Sequence, residues 1–379
     1  MPFQVSPGVN VSEIDLTTVI PAVSTSVGAF AGVFRWGPSE VSTLVSSEQD
    51  LSLNFGEPND SNTAVDFMTA ANFLAYSNAL RVVRVASTGS NNACDTSTAA
   101  TLIKNDEHFD TVTPTGTFYA KFPGTLGNDI QVEMLDDPGG YGAWTNWWPN
   151  TYFSTAPNTS SHGTSAGVAN DEIHVVVLDS PTGSLTGTAN AILEIYPYLN
   201  KASDARNSSG DLIHWKTYIN RNSNYIRVGD ETTSITNSTY GSSTTEILAE
   251  GRDAFGVADP GNISKRLSGG SDGGTIQADY TGAYDIFADT DQQDVSLIIT
   301  GAGGPGLGDD AGRSGVINYA IDLAGTRKDA VTFYSPHKSD ATASSASARL
   351  TAVKGFRTSD TNKNTSYAFL DSGWKYQYD

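Results

Sequence analysis

Apolar residues along this chain follow two periods, and the order in which they alternate predicts an α/β fold interrupted by a β-rich stretch. Over 27–38, Phe30 and Phe34 alternate with Ala29, Ala31 and Val33 at the two-residue period of a strand. Both faces are apolar, as in a central strand covered on two sides. Gly28 and Gly32 leave room for something large above them, while Gly37 and Pro38 force the exit turn. A turn at Phe55–Pro58 and capping residues at Asp60–Asn62 introduce a helix with Ala64, Phe67, Met68, Ala71, Leu74 and Ala75 on one face. The β-branched run Leu80–Val85 completes a strand–helix–strand unit.

From Ala86 to about Gly261 the chain becomes rich in Ser, Thr, Asn and Gly. Short strands are predicted over Phe118–Phe122, Ile130–Leu135, Ile173–Leu178, Ile192–Tyr196 and Tyr225–Val228, with one helix over Leu212–Ile219 and a polar loop over Thr155–Asn170. The α/β pattern resumes at Ser264. A helix carrying Tyr280, Ala283, Tyr284 and Phe287 precedes a strand over Val295–Thr300. A helix with Val316, Ala320 and Leu323 stops at Gly325, followed by a strand over Ala330–Tyr334, a helix with Ala346, Leu350 and Val353, and a strand over Tyr367–Leu370. The expected architecture is an α/β core domain with a mostly parallel sheet over 23–86 and 264–379, and an inserted β-rich domain, barrel- or sandwich-like, over 87–263.

Residues 1–22 read as an extended N-terminal arm. Val5, Val9, Val11, Ile14 and Leu16 are spaced by polar residues around a Ser6-Pro7-Gly8 turn, with no helical period. An arm of this length cannot bury itself, so it is either a frayed terminus or a strand lent to a neighbouring molecule.

The formal net charge of -20 disfavours direct contact with nucleic acid or anionic lipid, because both require Lys and Arg to neutralise phosphates. No apolar run approaches the roughly 20 residues of a membrane span, and no export signal precedes the arm, so membrane insertion is not expected. The single cysteine, Cys94, rules out an intrachain disulfide and makes cytoplasmic folding the default.

Five patterns are weighed for chemistry. Gly301, Gly303 and Gly306 fit the spacing of a dinucleotide-binding loop after a strand, but Asp309 and Asp310 stand where the phosphate would sit, so a flexible loop is expected and no cofactor is assigned. Gly269-Gly270-Ser271-Asp272-Gly273 matches a nucleophile elbow, with His337 downstream, yet no apolar strand precedes Ser271 and no helix follows at once; a hinge between domains is expected. Asp289, Asp291 and Gln293 begin like a calcium loop but lack its glycine and terminal glutamate; a capped loop is expected there. His108, His162, His174, His214 and His337 lack ligand spacing, so no metal site is expected. Tyr141, Trp144, Trp147, Trp148, Tyr152 and Phe153 crowd one stretch, which is either a sugar-binding platform or a loop packed on its own domain. No catalytic constellation assembles from these residues.

A series of motifs, none specific alone, resembles the tail sheath proteins of contractile-tailed bacteriophages across nearly the whole chain. They are Ser6-Pro7-Gly8-Val9, the run Gly32–Pro38, Phe55-Gly56, Asn72-Phe73-Leu74, Leu80–Val85, Phe122–Asn128, Leu267–Gly270 and Lys375–Asp379. The resemblance implies a non-enzymatic subunit that forms stacked rings around a tail tube and contracts by rigid-body movement while flexible arms keep neighbours joined. The implied partners are other sheath subunits, the tube protein, and baseplate and tail terminator proteins. The implied place is the virion tail, after assembly in the host cytoplasm. Residues Ser6, Pro7, Gly8, Val9, Val11, Ile14 and Leu16 become candidates for the inter-subunit arm. The chain departs from the pattern in two places. Little room separates Val85 from Pro123 for the outer domain of larger sheath proteins, and the chain stops at Asp379, where the family continues into a tube-facing domain. A glycan-binding surface or adhesin module is the alternative from another class, and a nucleotide-dependent oxidoreductase ranks third.

Overall fold

A computed structural model describes residues 27–59, 63–96, 100–135, 143–166, 171–202, 204–229, 262–301, 303–304 and 307–375. The predicted arm, and with it Ser6 to Leu16, lies outside the described residues, as do the predicted caps at Asp60–Asn62. In chain order the strands are β1 (Gly28–Gly32), β2 (Ser42–Val45), β3 (Leu80–Arg84), β4 (Phe118–Ala120), β5 (Ile130–Leu135), β6 (Glu172–Asp179), β7 (Ile192–Asn200), β8 (Ile226–Val228), β9 (Asn262–Arg266), β10 (Leu297–Gly301), β11 (Val331–Tyr334) and β12 (Ala368–Leu370). The principal helices are α1 (Glu48–Phe55), α2 (Ala64–Leu74), α3 (Asp106–Thr111), α4 (Trp215–Asn222), α5 (Gln277–Asp285), α6 (Asp310–Arg327) and α7 (Ala346–Gly355).

A six-stranded sheet in the order β12-β11-β10-β1-β3-β2 forms the α/β segment. Its strands run parallel except β2, which pairs antiparallel with β3 at one edge. Every residue of β1 is buried. Phe30 joins Leu51, Phe55 and Phe67 beneath α1 and α2, while Ala29 and Ala31 face Tyr284, Phe287 and Ala320 of the α5–α6 layer. Each fully buried large side chain contributes about 1.5–3 kcal/mol, so the alternation Ala-Phe-Ala places bulk on one face and lets helices approach on the other. The two strand glycines lie on the Phe30 face instead: a Cβ at Gly28 would sit 2.6 Å from the Phe73 ring, and one at Gly32 would sit 3.1 Å from the Asp66 Cβ, so glycine lets α2 lie this close.

The β-rich segment holds a four-stranded antiparallel sheet, β7-β6-β5-β9, and a two-stranded pair, β4-β8. Val132, Val175 and Val177 of the larger sheet share one core with Phe118, Ile226 and Val228 of the smaller, and Trp215 and Ile219 of α4 close it. Strand β9 pairs with β5 from Asn262 to Arg266, so the chain is still in the β-rich sheet where the sequence pattern returns it to the α/β segment at 264.

Local departures have local causes. The segment Ser42–Val45 and helix α1 escape the sequence pattern; α1 is started by Ser47, whose hydroxyl accepts from the Asp50 amide at 3.1 Å. The predicted loop over 155–170 contains a short helix, Ser161–Ala166, held by Asp171, whose carboxylate accepts from the Ser160 amide at 2.7 Å. Helix α4 begins at Trp215, so Leu212 precedes it. Helix α6 runs past Gly325 to Arg327, whose guanidinium holds the last turn to the Gln293 carbonyl at 2.9 Å, and it ends where Lys328 takes a left-handed φ of 66°.

Candidate functional site: the junction between the two segments

Four of the separated sequence motifs, Gly32–Pro38, Leu80–Val85, Phe122–Asn128 and Leu267–Gly270, meet where the α/β and β-rich segments join. β3 delivers Arg84 to this place as a buried cation. Its Nε donates to the carbonyl of Phe34 at 2.9 Å, Nη1 to Gly37 at 2.8 Å and Nη2 to Pro123 at 2.7 Å. The first two acceptors belong to the turn after β1 and the third to the β-rich segment. The fork of the guanidinium suits three such acceptors, which a single ammonium could not reach together. Burial pulls its pKa down to about 10, opposed by the negative charge of Asp272, so the group stays protonated at neutral pH.

Asp272 faces it from the returning chain. Its carboxylate accepts from the Thr125 amide at 3.0 Å and the Thr125 hydroxyl at 2.6 Å, and its carbonyl accepts from Ser90 at 2.6 Å. Gly124 lies between the two charges at a φ of +129°, and a Cβ there would come within 2.7 Å of the Asp272 carboxylate. Asn128 clasps Gly270 in both directions, its amide donating to the Gly270 carbonyl at 2.9 Å and its oxygen accepting from the Gly270 amide at 2.8 Å. The outgoing and returning chains also pair as short antiparallel bridges, Asn91 with Ser271 and Cys94 with Ser268.

Trp36, from the run Gly32–Pro38, is buried in the core of the β-rich segment, where it meets Phe122 and Tyr225. The next residues are stitched on as well: the Ser39 amide donates to Lys104 at 3.0 Å, and Asn105 donates to the Ser39 carbonyl at 3.0 Å. Composition and periodicity gave no sign of this convergence. The usable signal was the cluster of glycines with adjacent Asn and Asp, which mark tight backbone approaches.

The residues singled out for chemistry are placed otherwise. Ser271 sits inside the junction, where its hydroxyl accepts from the Gly273 amide at 3.2 Å, and His337 bonds Ser314 instead, at 3.0 Å. Asp310 lies 3.8 Å from the other ring nitrogen of His337, too long for a hydrogen bond, and Ser314 is buried in the first turns of α6. That trio presents no exposed nucleophile. Gly303 and Gly304 have φ values of +75° and +89° and serve packing: a Cβ would meet the Arg313 carbonyl at 2.4 Å in the first case and the Tyr280 ring at 2.7 Å in the second. Gly306, the third glycine of that pattern, lies outside the described residues. Asp289 accepts from the amides of Asp291 at 2.9 Å and Gln292 at 3.3 Å, which caps its own loop.

Among the described residues, no group of three or more His, Cys, Asp or Glu could hold a metal ion, and no helix is long and apolar enough to cross a membrane. His174 is a packing element: it accepts from the Tyr198 amide at 3.1 Å, donates to Thr155 at 3.0 Å, and stacks on Phe153 at 4.2 Å. Burial lowers its pKa, which favours the neutral ring that this donor–acceptor pattern requires. Trp144, Trp147 and Phe153 pack on Leu135, Val176 and Leu178, so half of the aromatic stretch is core. Trp148 and Tyr152 are 45% and 52% exposed, while Tyr141 lies outside the described residues.

Comparison with known proteins bears out the resemblance carried by the motifs. Residues 25–85 match the family model described as tail sheath protein Gp18 domain III, N-terminal region. The chain is 34% identical over 196 residues to the tail sheath protein of Salmonella phage ViI, covering 51% of this chain and 28% of that protein. It is 47% identical over 94 residues to the tail sheath protein of Vibrio phage KVP40, covering 25% of this chain and 13% of the other. To the tail sheath protein of Enterobacteria phage T4 it is 26% identical over 462 residues, covering 99% of this chain and 69% of that one. The matched region thus spans less than a third of the first two relatives.

Proposed function

We propose that this chain is the structural subunit of a contractile phage tail sheath. Copies polymerise helically around the tail tube and contract by rigid-body rearrangement, which drives the tube through the host envelope. The observation that carries this reading is the alignment with the phage T4 tail sheath protein over 99% of the chain, anchored by the family match over residues 25–85. The partners are other copies of the chain, the tube protein, and baseplate and tail terminator proteins; assembly takes place in the host cytoplasm and the product resides in the virion tail. No reaction is assigned to the subunit.

The junction suits this role, since a subunit that transmits force must not yield between its parts. A contact repeated head to tail by a screw operation gives an open helix rather than a closed ring. Residues Ser6, Pro7, Gly8, Val9, Val11, Ile14 and Leu16 are proposed as a strand lent to a neighbouring copy. Negative-stain imaging of the purified protein tests the function: tubes of regular helical repeat are expected, and only monomers or closed oligomers across a range of salt and concentration would overturn it.

A further inference from the structure

We infer that the Arg84 junction fixes the β-rich segment to the α/β segment as one rigid lever, so that the two neither hinge nor unfold separately. Two chain crossings, one after β3 and one after β9, would by themselves leave a hinge, because two attachment points define an axis of rotation. Their antiparallel bridges at Asn91–Ser271 and Cys94–Ser268 narrow that hinge. A third attachment from a different stretch of chain blocks it. The turn after β1 sends Trp36 into the β-rich core, and Arg84 ties Phe34 and Gly37 of that turn to Pro123.

The chemistry of the tie makes it all-or-none. Arg84 is 3% exposed, and its three hydrogen bonds go to neutral carbonyls on both sides of the junction. Parting the segments by a small angle takes the Pro123 carbonyl away while the guanidinium remains buried against β1 and β3, a charge stripped of one acceptor before water can replace it. Asp272 moves with the β-rich side through Thr125, so the same displacement separates the opposite charges. A partly opened state therefore carries an uncompensated buried charge that neither the closed junction nor the unfolded chain has.

The inference deepens the rigid-body movement proposed above by naming the contact that would hold the two segments together, and its test does not require assembly. Its test uses the full chain in solution, with scanning calorimetry and amide hydrogen exchange on the wild type, Arg84→Met and Arg84→Lys. The wild type should melt in a single transition, and the amides of Asn91, Gly124, Ser268 and Ser271 should exchange only with global unfolding. Arg84→Met should lose protection at those amides while strands β1, β5 and β6 keep theirs, and should split or broaden the transition; Arg84→Lys should lie between. Asp272→Asn, which keeps size and most hydrogen bonds, should loosen the same amides to a smaller degree, and it decides the matter if Arg84→Met does not fold. Two resolved transitions in the wild type, or unchanged junction exchange in the variants that fold, would overturn the inference. Neither result bears on whether the protein forms tubes.

Discussion

The rings of Trp36 and Phe122 meet edge to face, 5.3 Å between centroids at 83°, so a residue from the run that leaves the central strand is packed in the core of the other segment. Removing that indole should open a cavity in a core containing residues of both segments. Trp36→Ala is expected to cost about 3–5 kcal/mol by urea unfolding, the range for large aromatic truncations. A loss below about 1 kcal/mol would mean that the indole merely covers a surface.

Asp66, on α2, is a buried carboxyl whose Oδ2 accepts from the Val33 amide at 2.7 Å, with the Tyr280 hydroxyl beside it and Tyr284 nearby. Desolvation raises its pKa from 3.8 to about 7, more than its hydrogen bonds lower it. Because the folded-state pKa lies above the unfolded one, the stabilisation belongs to the protonated form. It is complete below about pH 4 and is lost as the pH climbs to about 7. At 1.36 kcal/mol per unit, the ceiling on that loss is about 4 kcal/mol. Asp66→Asn should flatten this part of the stability profile and make the protein more stable at pH 8 than the wild type. Equal slopes in urea titrations of the two proteins from pH 4 to 7 would show that Asp66 does not titrate in this window.

The glycine loop and the serine motif separate packing from chemistry. Gly303→Ala places a Cβ against a backbone carbonyl at positive φ, and should lower stability by roughly 1–3 kcal/mol. Ser271→Ala loses a single weak hydroxyl contact and should change the thermal midpoint little. Ester hydrolysis that vanished with Ser271 would contradict this account.

Periodicity reported what burial on a strand or helix imposes, and missed what packing between distant segments imposes. Ile130–Leu135 was readable to the residue because Ile130, Val132 and Met134 alternate with Gln131 and Glu133 at the strand period, and the strand lies between two partner strands. Ser42–Val45 was not, since an edge strand with an exposed Leu44 and two hydroxyl residues carries no alternation. Gly325 read as a helix stop because glycine favours that place, but its neighbourhood is open and Arg327 holds the helix end to the Gln293 carbonyl at 2.9 Å. The junction was legible only as scattered motifs. Nothing in the local pattern tells Arg84 that its acceptors lie at positions 34, 37 and 123, because those contacts depend on how two segments dock.

Charge gives a further expectation for assembly. At a net charge of -20, lateral contacts between copies repel until salt screens them over roughly 8–10 Å. Polymer measured by sedimentation should therefore rise from low to moderate ionic strength. A fall would show that attractive ion pairs between copies dominate.

The proposed arm over residues 1–22 makes its own prediction for assembly. A strand added to a neighbour's sheet edge gains roughly 0.5–1.5 kcal/mol per hydrogen bond, while ordering each residue costs roughly 1–2 kcal/mol of backbone entropy. Hydrogen bonds alone do not offset that cost, so Val9, Val11 and Ile14 must also bury their side chains, and the repeat of the lattice must multiply a weak contact. Deleting residues 1–20 should then leave the melting temperature of the α/β segment nearly unchanged, since the strand β1 that follows is held on both sides by β3 and β10. The same deletion should abolish tubes. Normal polymerisation of the truncated chain would make the arm a frayed terminus and remove Ser6, Pro7, Gly8, Val9, Val11, Ile14 and Leu16 from the assembly contacts.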